Sequence, residues 1–235
     1  MSNQLPYRIF PLGDTALTID FGNTINEGIN SVVLDLFEQL KTNPLPGQLE
    51  AVPAYSSLTI YYDTVALMKR IPPGNGVYEW MKSKSEELFK QPLSRQEAEQ
   101  RTVAIPVCYD EYFAPDIGSV AATNGISIED IIVLHTSKTY RVYMLGFLPG
   151  FSYMGEVDEK LIMPRKPQPR MVSAGSIGIA GRQTGIYPQA SPGGWQIIGR
   201  TPIKLFDPER REPALLQAGD KVQFISISKN EFANH

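Results

Sequence analysis

Residues 174–202 read AGSIGIAGRQTGIYPQASPGGWQIIGRTP, and this glycine-rich stretch is the strongest indication of the fold. Ten of the nineteen glycines lie between Gly146 and Gly199, too densely for helices and at the spacing of many tight turns. Near the carboxy end, Val222 and Phe224 follow the turn 218–220 with the pattern of a closing strand. This half of the chain is therefore predicted to be a compact, mainly-β barrel or sandwich with one or two small helices.

The residues that precede this stretch predict a strand and two short helices. Val103, Ile105 and Val107 alternate with other residues, which is typical of a half-buried strand. The second helix is predicted to be capped by Ser127 and to carry His135 on the same face as its isoleucines. These elements are assigned to the same domain as the glycine-rich stretch.

The first hundred residues predict a separate, small α+β domain. Apolar residues alternate around Leu17 and again around Ile60, and two runs at helical spacing follow these strands. Thr24 and Glu27 match a capping box for the first helix. The polar segment 91–101 is read as a linker, which gives an α+β domain at 1–90 and a β-barrel domain at 102–235.

Composition excludes several classes of protein. The chain has 235 residues, is 42% apolar and 20% charged, and carries a formal net charge of -3. Its apolar content excludes disorder, and the single Cys108 excludes an intramolecular disulfide and a structural zinc site, so no metal is expected. No secretory signal or membrane-spanning run is recognised, and the charge balance disfavours nucleic acid. A cytoplasmic protein is expected, with neither a membrane nor a nucleic acid as partner.

A basic stretch indicates where an anionic ligand would bind. Residues 160–206 contain seven lysines and arginines and no acidic residue, so positive charge and glycine backbone amides are available to the same anion. Arg182 is the only charged residue between Met171 and Gly199, so it should either be paired or await a ligand. The alternative is that these cations face acidic parts of the same protein.

His135 is the natural candidate for acid–base work, because the other histidine, His235, is the terminal residue. Its place among isoleucines on a short helix leaves open a structural role as a satisfied core or helix-terminal histidine. Ser152 is not supported as a nucleophile, because Met154 stands where a nucleophile elbow requires its second glycine.

The motifs in the second half are similar to those of the allophanate hydrolase subunit 1 family. They are residues 146–155, reading GFLPGFSYMG, then Met163-Pro-Arg165, Pro169-Arg170, and the runs 174–181, 183–188 and 191–202. The resemblance is dense from His135 to Asp207 and looser elsewhere. It implies that the α+β amino-terminal domain is followed by a cyclophilin-like β-barrel.

The resemblance also implies a function as one subunit of an ATP-dependent enzyme that opens 5-oxo-L-proline to L-glutamate. The implied partners are a PxpC-like chain, of the allophanate hydrolase subunit 2 type, and a PxpA-like chain. ATP with Mg²⁺ is expected in the assembled complex and not on this chain alone. Both the substrate carboxylate and a phosphoryl group are anions that need fixed positive charge.

Site residues follow from combining the resemblance with the basic stretch. The catalytic candidates are His135 and Arg182, and replacing Arg182 by Ala is expected to abolish the assembled activity. The candidates for binding substrate or another anion are Arg165, Arg170, Arg200, Tyr153, Gln183, Tyr187 and Trp195. The residues predicted to form a pocket wall or subunit contact are Phe147, Pro149, Gly150, Phe151 and Met154.

Two other functions stay open at this point. Some members of the family are described as inhibitors of a sensor histidine kinase, so the chain could be a regulatory protein that binds such a kinase. In that case Phe147, Phe151, Met154 and Trp195 would line an apolar groove for proline-containing surfaces. A urea- or allophanate-type substrate is disfavoured, because the fused biotin-dependent and amidase regions of those larger enzymes are not recognised here.

Overall fold

The computed structural model describes residues 5–72, 74–89 and 101–235. The chain separates into two compact units, Met1–Ala98 and Glu99–His235. Of the predicted linker 91–101, all but Arg101 lies outside the described residues. Arg101 itself is anchored in the second unit, where its Nε donates to Asp220 Oδ1 at 3.1 Å and its Nη2 donates to the Leu215 carbonyl at 2.7 Å.

The first unit is an antiparallel four-stranded sheet, in the order β1-β2-β4-β3, with helices packed on it. Leu17 and Ile19 of β2 belong to the core that the sheet shares with the helices, and Ala16 and Thr18 on the opposite face of β2 are buried as well. The elements in chain order are β1 (Arg8–Pro11), β2 (Ala16–Asp20), α1 (Glu27–Thr42), β3 (Gln48–Pro53), β4 (Ser57–Tyr62), α2 (Thr64–Met68) and α3 (Val77–Leu88).

The capping box predicted at Thr24 and Glu27 is wrong. Helix α1 begins at Glu27, and the Oδ1 of Asn26 accepts a hydrogen bond from the Ile29 amide at 3.0 Å. Glu27 is thus the first residue of the helix and not the third, so it cannot reach back to close the box.

The second unit contains the remaining elements, which include the strand and the two short helices predicted before the glycine-rich stretch. Ser127 caps α5, as predicted. The structure adds that Asp130 completes a capping box with Ser127. The elements in chain order are β5 (Thr102–Val107), α4 (Ile117–Asn124), α5 (Ile128–Thr136), β6 (Thr139–Leu145), β7 (Ser152–Gly155), a 3-10 helix (Glu159–Leu161), β8 (Arg170–Val172), β9 (Ser176–Ala180), β10 (Gln183–Ile186), β11 (Ser191–Gly193), β12 (Gln196–Arg200), β13 (Lys221–Ser226) and α6 (Lys229–Ala233).

Seven strands of this unit form one sheet in the order β12-β9-β10-β7-β6-β13-β5. The sheet curls until its two edges meet, because Cys108, just after β5, exchanges two backbone hydrogen bonds of 2.9 and 3.0 Å with Arg200 of β12. The strand predicted around Val222 is β13, and it lies inside the sheet, parallel to β5 and antiparallel to β6. A separate two-stranded sheet pairs β8 with β11.

The interior of the curled sheet is apolar, and helices α4 and α5 pack against it. No single helix among the described residues is long and apolar enough to cross a membrane. Helices α4 and α5 reach that length only when taken together, and they are bent by 97° relative to each other.

Candidate functional site

The basic loop that precedes β8 lies along the backbone that leads into β12. The Pro164 carbonyl accepts from Gln196 Nε2 at 3.0 Å, and the Lys166 amide donates to the Gly194 carbonyl at 2.7 Å. These two bonds set the orientation of the residue between them, and the Arg165 guanidinium lies 5.9 Å from the ring centroid of Trp195. Arg165 therefore lies beside an aromatic cluster, and Lys166 lines a separate cleft.

The first group is an aromatic cluster made of Phe151, Tyr153, Tyr187 and Trp195, in which only Tyr153 is more than slightly exposed. Phe151 is its centre, with ring centroids 4.7 Å from Tyr153, 5.0 Å from Tyr187 and 5.5 Å from Trp195, all edge to face. Burial raises the pKa of Tyr153 and of Tyr187, and nearby Arg165 partly offsets that rise. Phenols held in this way stay protonated and can donate hydrogen bonds at neutral pH.

Two glycines explain how Trp195 can lie against the sheet. A Cβ added at Gly178 would stand 2.9 Å from Trp195 Cβ, and one added at Gly185 would stand 3.0 Å from Trp195 Cζ3. Neither contact leaves room for a side chain beside the indole. The Trp195 side chain can therefore pack directly on β9 and β10 because glycine stands at these two positions.

The second feature is a basic cleft of about 260 Å³. Its polar lining comes from Asp116, Lys166, Arg170, Ser173, Ser176 and Arg200, and apolar lining is added by Tyr112, Phe113, Val172 and Ile197. Val172 and Ile197 also belong to the hydrophobic group that surrounds the aromatic cluster. The basic cleft therefore adjoins the buried aromatic cluster.

The charges in the basic cleft are not balanced. Lys166 Nζ pairs with Asp116 Oδ2 at 2.5 Å, and the same oxygen accepts from the Ile197 amide at 2.6 Å. Arg200 donates its Nε to the Ala174 carbonyl at 2.8 Å. Within residues 5–72, 74–89 and 101–235, neither Arg170 nor Arg200 has a carboxylate partner. Positive charge is therefore left over where the cleft opens to solvent.

Arg182 lies elsewhere, at the turn between β9 and β10, and it does not line the basic cleft. Its guanidinium contacts Glu156 Oε2 at 3.1 Å and Glu159 Oε1 at 3.9 Å. Of the two possibilities open for this residue, the paired one is what the structure contains. Gln183, the next residue, starts β10 opposite Gly155 and Ala180.

His135 lies in the core, with none of its surface exposed. The Thr184 hydroxyl donates to the Gly178 carbonyl at 3.1 Å, so it accepts from His135 Nε2 at 3.1 Å, and His135 Nδ1 accepts from the Tyr109 hydroxyl at 2.7 Å. Burial lowers the pKa of His135 to about 3. The imidazole is thus neutral and fully satisfied, which is the structural role that the sequence left open. Met154, which was predicted to form a pocket wall or subunit contact, is also fully buried in the core.

The loop between β6 and β7 presents an aromatic ring to solvent. Phe147 has a left-handed backbone with φ of 70°, is 63% exposed, and meets Phe151 edge to face at 5.7 Å. Pro149 beside it is exposed. Gly150, with φ of 81°, passes so close to Phe206 that an added Cβ would lie 3.0 Å from its Cβ. The loop therefore places one exposed ring, Phe147, at the edge of the buried aromatic cluster.

Asp116 and Ser176 are among the residues of the basic cleft that sequence reasoning missed. Asp116 lies outside the basic stretch, and no local motif connects it with Lys166. Ser176 lies within the glycine-rich run, where its hydroxyl resembles that of any turn residue. Its register opposite Arg200 across β9 and β12 becomes visible only in the folded sheet.

The match to a known protein family agrees with this curled-sheet fold. Residues 7–216 match the family described as "Carboxyltransferase domain, subdomain C and D", and this chain belongs to that family. The resemblance seen in the sequence is confirmed. The urea carboxylase of Kluyveromyces lactis shares the fold, with a TM-score of 0.74 at 18% identity over 97% of this chain and 22% of that one. The curled sheet fits a cyclophilin-like barrel.

Particular relatives are closer in sequence. The chain is 44% identical to a protein named as the B subunit of 5-oxoprolinase from Bacillus subtilis, over 96% of this chain and 95% of that protein. It is 38% identical to a protein of the same name from Escherichia coli O157:H7, over 93% of this chain and 95% of that one.

Other relatives are much longer than this chain. A crystal structure of the protein designated TTHA0988 has a TM-score of 0.77 at 40% identity, covering 91% of this chain, which spans 40% of that protein. A urea amidolyase from Lachancea kluyveri is 24% identical over 98% of this chain, which spans 14% of that protein. The same fold therefore occurs both as a short chain and as a segment of larger ones.

Proposed function

We propose that this chain is the B subunit of an ATP-dependent 5-oxoprolinase, which hydrolyses 5-oxo-L-proline to L-glutamate. The observation that carries the proposal is the match, nearly end to end, with 5-oxoprolinase B subunits from two bacteria at 44% and 38% identity. A match that spans almost the whole of both chains favours the same role in an assembly.

The basic cleft supports the proposal from the chemical side. The substrate carries a carboxylate, and a lactam is a poor electrophile that needs activation before water attacks its carbonyl carbon. Arg170 and Arg200, which lack carboxylate partners in the described part of the chain, are suited to hold an anion of the reaction. Tyr153 and Arg165, which lie against Trp195 beside the cleft, would help to orient the rest of the ligand.

The residues of the cleft fit the phosphate end of ATP, because arginine side chains and a serine hydroxyl are good partners for phosphate oxygens. When bound, ATP would supply the phosphoryl group that activates the lactam oxygen. Among the described residues, no group of three or more histidines, cysteines or carboxylates could hold a metal ion.

The proposal includes partners and a location. Relatives that are named as one subunit of an enzyme imply a complex of several chains, and we assign a PxpC-like and a PxpA-like chain as the partners of this one. The larger relatives support this, because in them the same fold is covalently joined to other sequence. We place the assembly in the cytoplasm, where the buried free thiol of Cys108 would stay reduced.

The test is ATP hydrolysis that depends on 5-oxo-L-proline, measured with this chain alone, with the PxpA-like and PxpC-like chains without it, and with all three. Activity only in the full mixture is expected. Unchanged activity without this chain would contradict the proposal and favour the kinase-inhibitor alternative, which binding of this chain to a sensor histidine kinase would then test.

Variants in the same assay separate the candidate residues. Arg170→Gln is expected to reduce the assembled activity, because it removes a cation of the cleft that has no other partner in the described chain. The expected loss in Arg182→Ala stays a prediction from the sequence, and full activity in that variant would remove Arg182 from the candidates. Arg211→Gln, an equal change of charge at an exposed residue outside the cleft, serves as the control.

A further inference from the structure

We propose that the basic cleft is built for a doubly charged, tetrahedral oxyanion of the phosphoryl type, and not for the singly charged carboxylate of the substrate. This inference rests on the proposed function, since it names which of the two anions of that reaction binds here. It stands on four features of the cleft: its net charge, a preset arginine, a free hydroxyl and a fixed lysine.

The charge of the cleft matches a dianion. Three cations, Lys166, Arg170 and Arg200, share the lining with one carboxylate, Asp116, which leaves two positive charges unmatched within the described part of the chain. A monoanion would neutralise one of them and leave the other facing it. A phosphoryl group at neutral pH carries between one and two negative charges and can satisfy both.

The guanidinium of Arg200 is preset for an incoming oxyanion. Its Nε–H is used by the Ala174 carbonyl at 2.8 Å, which holds the group in one orientation and leaves its terminal amino groups to donate. Little conformational freedom has to be lost when such a group binds, because the fork is already in place. Arg170, on the mostly exposed strand β8, supplies a second guanidinium group.

Ser176 supplies a hydroxyl that nothing else uses. It lies directly opposite Arg200 in the pairing of β9 with β12, so the two side chains project on the same face of the sheet. The residue is only 4% exposed, it lines the cleft, and within the described chain its hydroxyl makes no hydrogen bond. The hydroxyl oxygen keeps some contact with solvent in the cleft, so it is available to donate to a ligand oxygen.

Lys166 is fixed as a charge and does not move freely. Its pairing with Asp116 leaves the two side chains 15% and 14% exposed, and Asp116 is itself bonded to the Ile197 amide. The two charges of this pair cancel, so Lys166 fixes the wall of the cleft and the positive potential comes from Arg170 and Arg200. A tetrahedral group presents oxygens in several directions, which suits cations and a hydroxyl arranged around it. A planar carboxylate has only two oxygens and would leave part of this lining unused.

The test is isothermal titration calorimetry of the full chain with inorganic phosphate at mildly alkaline pH, where the dianion predominates, and in parallel with acetate. Phosphate is expected to bind and acetate to bind much more weakly. Arg170→Gln and Arg200→Gln should each weaken phosphate binding by about tenfold, and Ser176→Ala by a smaller factor. The control Arg211→Gln should bind as the unmodified chain does.

Thermal unfolding of each variant shows whether it is folded. Arg170 has no partner in the described structure, so Arg170→Gln keeps the test decisive even if Arg200→Gln unfolds. No phosphate binding, equal binding of acetate, or unchanged binding in Arg170→Gln would overturn the inference.

Competition then identifies the source of the phosphoryl group. Displacement of phosphate by ATP supports a nucleotide phosphate in the cleft, and binding of phosphate that ATP does not displace supports a phosphorylated substrate or released phosphate. Because calorimetry needs no partner chain, its failure is separate from failure of the reconstituted ATP hydrolysis. Phosphate binding without reconstituted activity would preserve the site and refute the proposed function.

Discussion

Acid should destabilise the second unit through a single buried histidine. His135 is completely buried and its pKa is lowered by burial from 6.5 to about 3. Between those two values the unfolded chain binds a proton at this side chain and the folded chain does not. The free energy of unfolding must therefore fall as the pH falls through this window.

The size of the effect follows from the same two values. Lowering the pH from about 7.5 to about 5 should protonate His135 in nearly all unfolded molecules, at a cost to stability of about 2 kcal/mol. This result depends little on how low the folded pKa lies, because at about pH 5 the folded imidazole is neutral for any pKa near 3. The penalty should grow further as the pH falls towards about 3, and it should be absent above about pH 7.5.

The assay is urea denaturation at the two pH values, followed by the fluorescence of Trp195 in a Trp80→Phe background so that the signal reports the second unit. His135→Gln is expected to remove about 2 kcal/mol of the pH-dependent loss, whatever it does to stability at the higher pH. His235→Gln provides the matched control, since these are the two histidines of the chain and His235 is exposed at its end. Equal pH dependence in His135→Gln and in the control would refute the reasoning.

Three further substitutions test the packing and the ion pairing of the second unit. Gly185→Ala should lower the free energy of unfolding by about 1–3 kcal/mol, since its Cβ would press on Trp195 and on the Ser152 carbonyl at 2.8 Å. By contrast, Gly118→Ala in α4, where nothing lies within 4 Å, should be neutral or stabilising by up to about 1 kcal/mol. Urea denaturation measures both, and equal effects would contradict the packing argument. Asp116→Ala should cost about 2–4 kcal/mol by leaving Lys166 unpaired in the cleft, and a melting temperature unchanged from the unmodified chain would show that the pair is not needed.

Local patterns predicted the elements that have a strong local signal. The alternation around Ile105 and the cap at Ser127 identified β5 and α5, because burial of one face and satisfaction of the first amides depend on neighbours in sequence. The strands β1 and β3 were not recognised. They lie at the edges of the first sheet, where most of their residues are exposed or half-buried and alternation is weak.

The candidate site was only partly accessible from the sequence. The basic stretch was recognised from its composition alone, and it does contain Arg170 and Arg200 of the cleft. The stretch itself contains no acidic residue, but carboxylates from other segments pair with some of its cations in the folded chain. Glu156 and Glu159 reach Arg182 from just outside the stretch, and Asp116 reaches Lys166 from 50 residues away.

The mainly-β character of the second half and the sign of the charge that a ligand would meet were predicted from composition, turn residues and periodicity, which are local properties of the chain. The family was predicted from the resemblance of the motifs between residues 146 and 202. Only the tertiary structure decided which cations are free. An arginine is paired or available according to the carboxylates within a few ångströms of it, and the curled sheet sets those distances by bringing distant segments together.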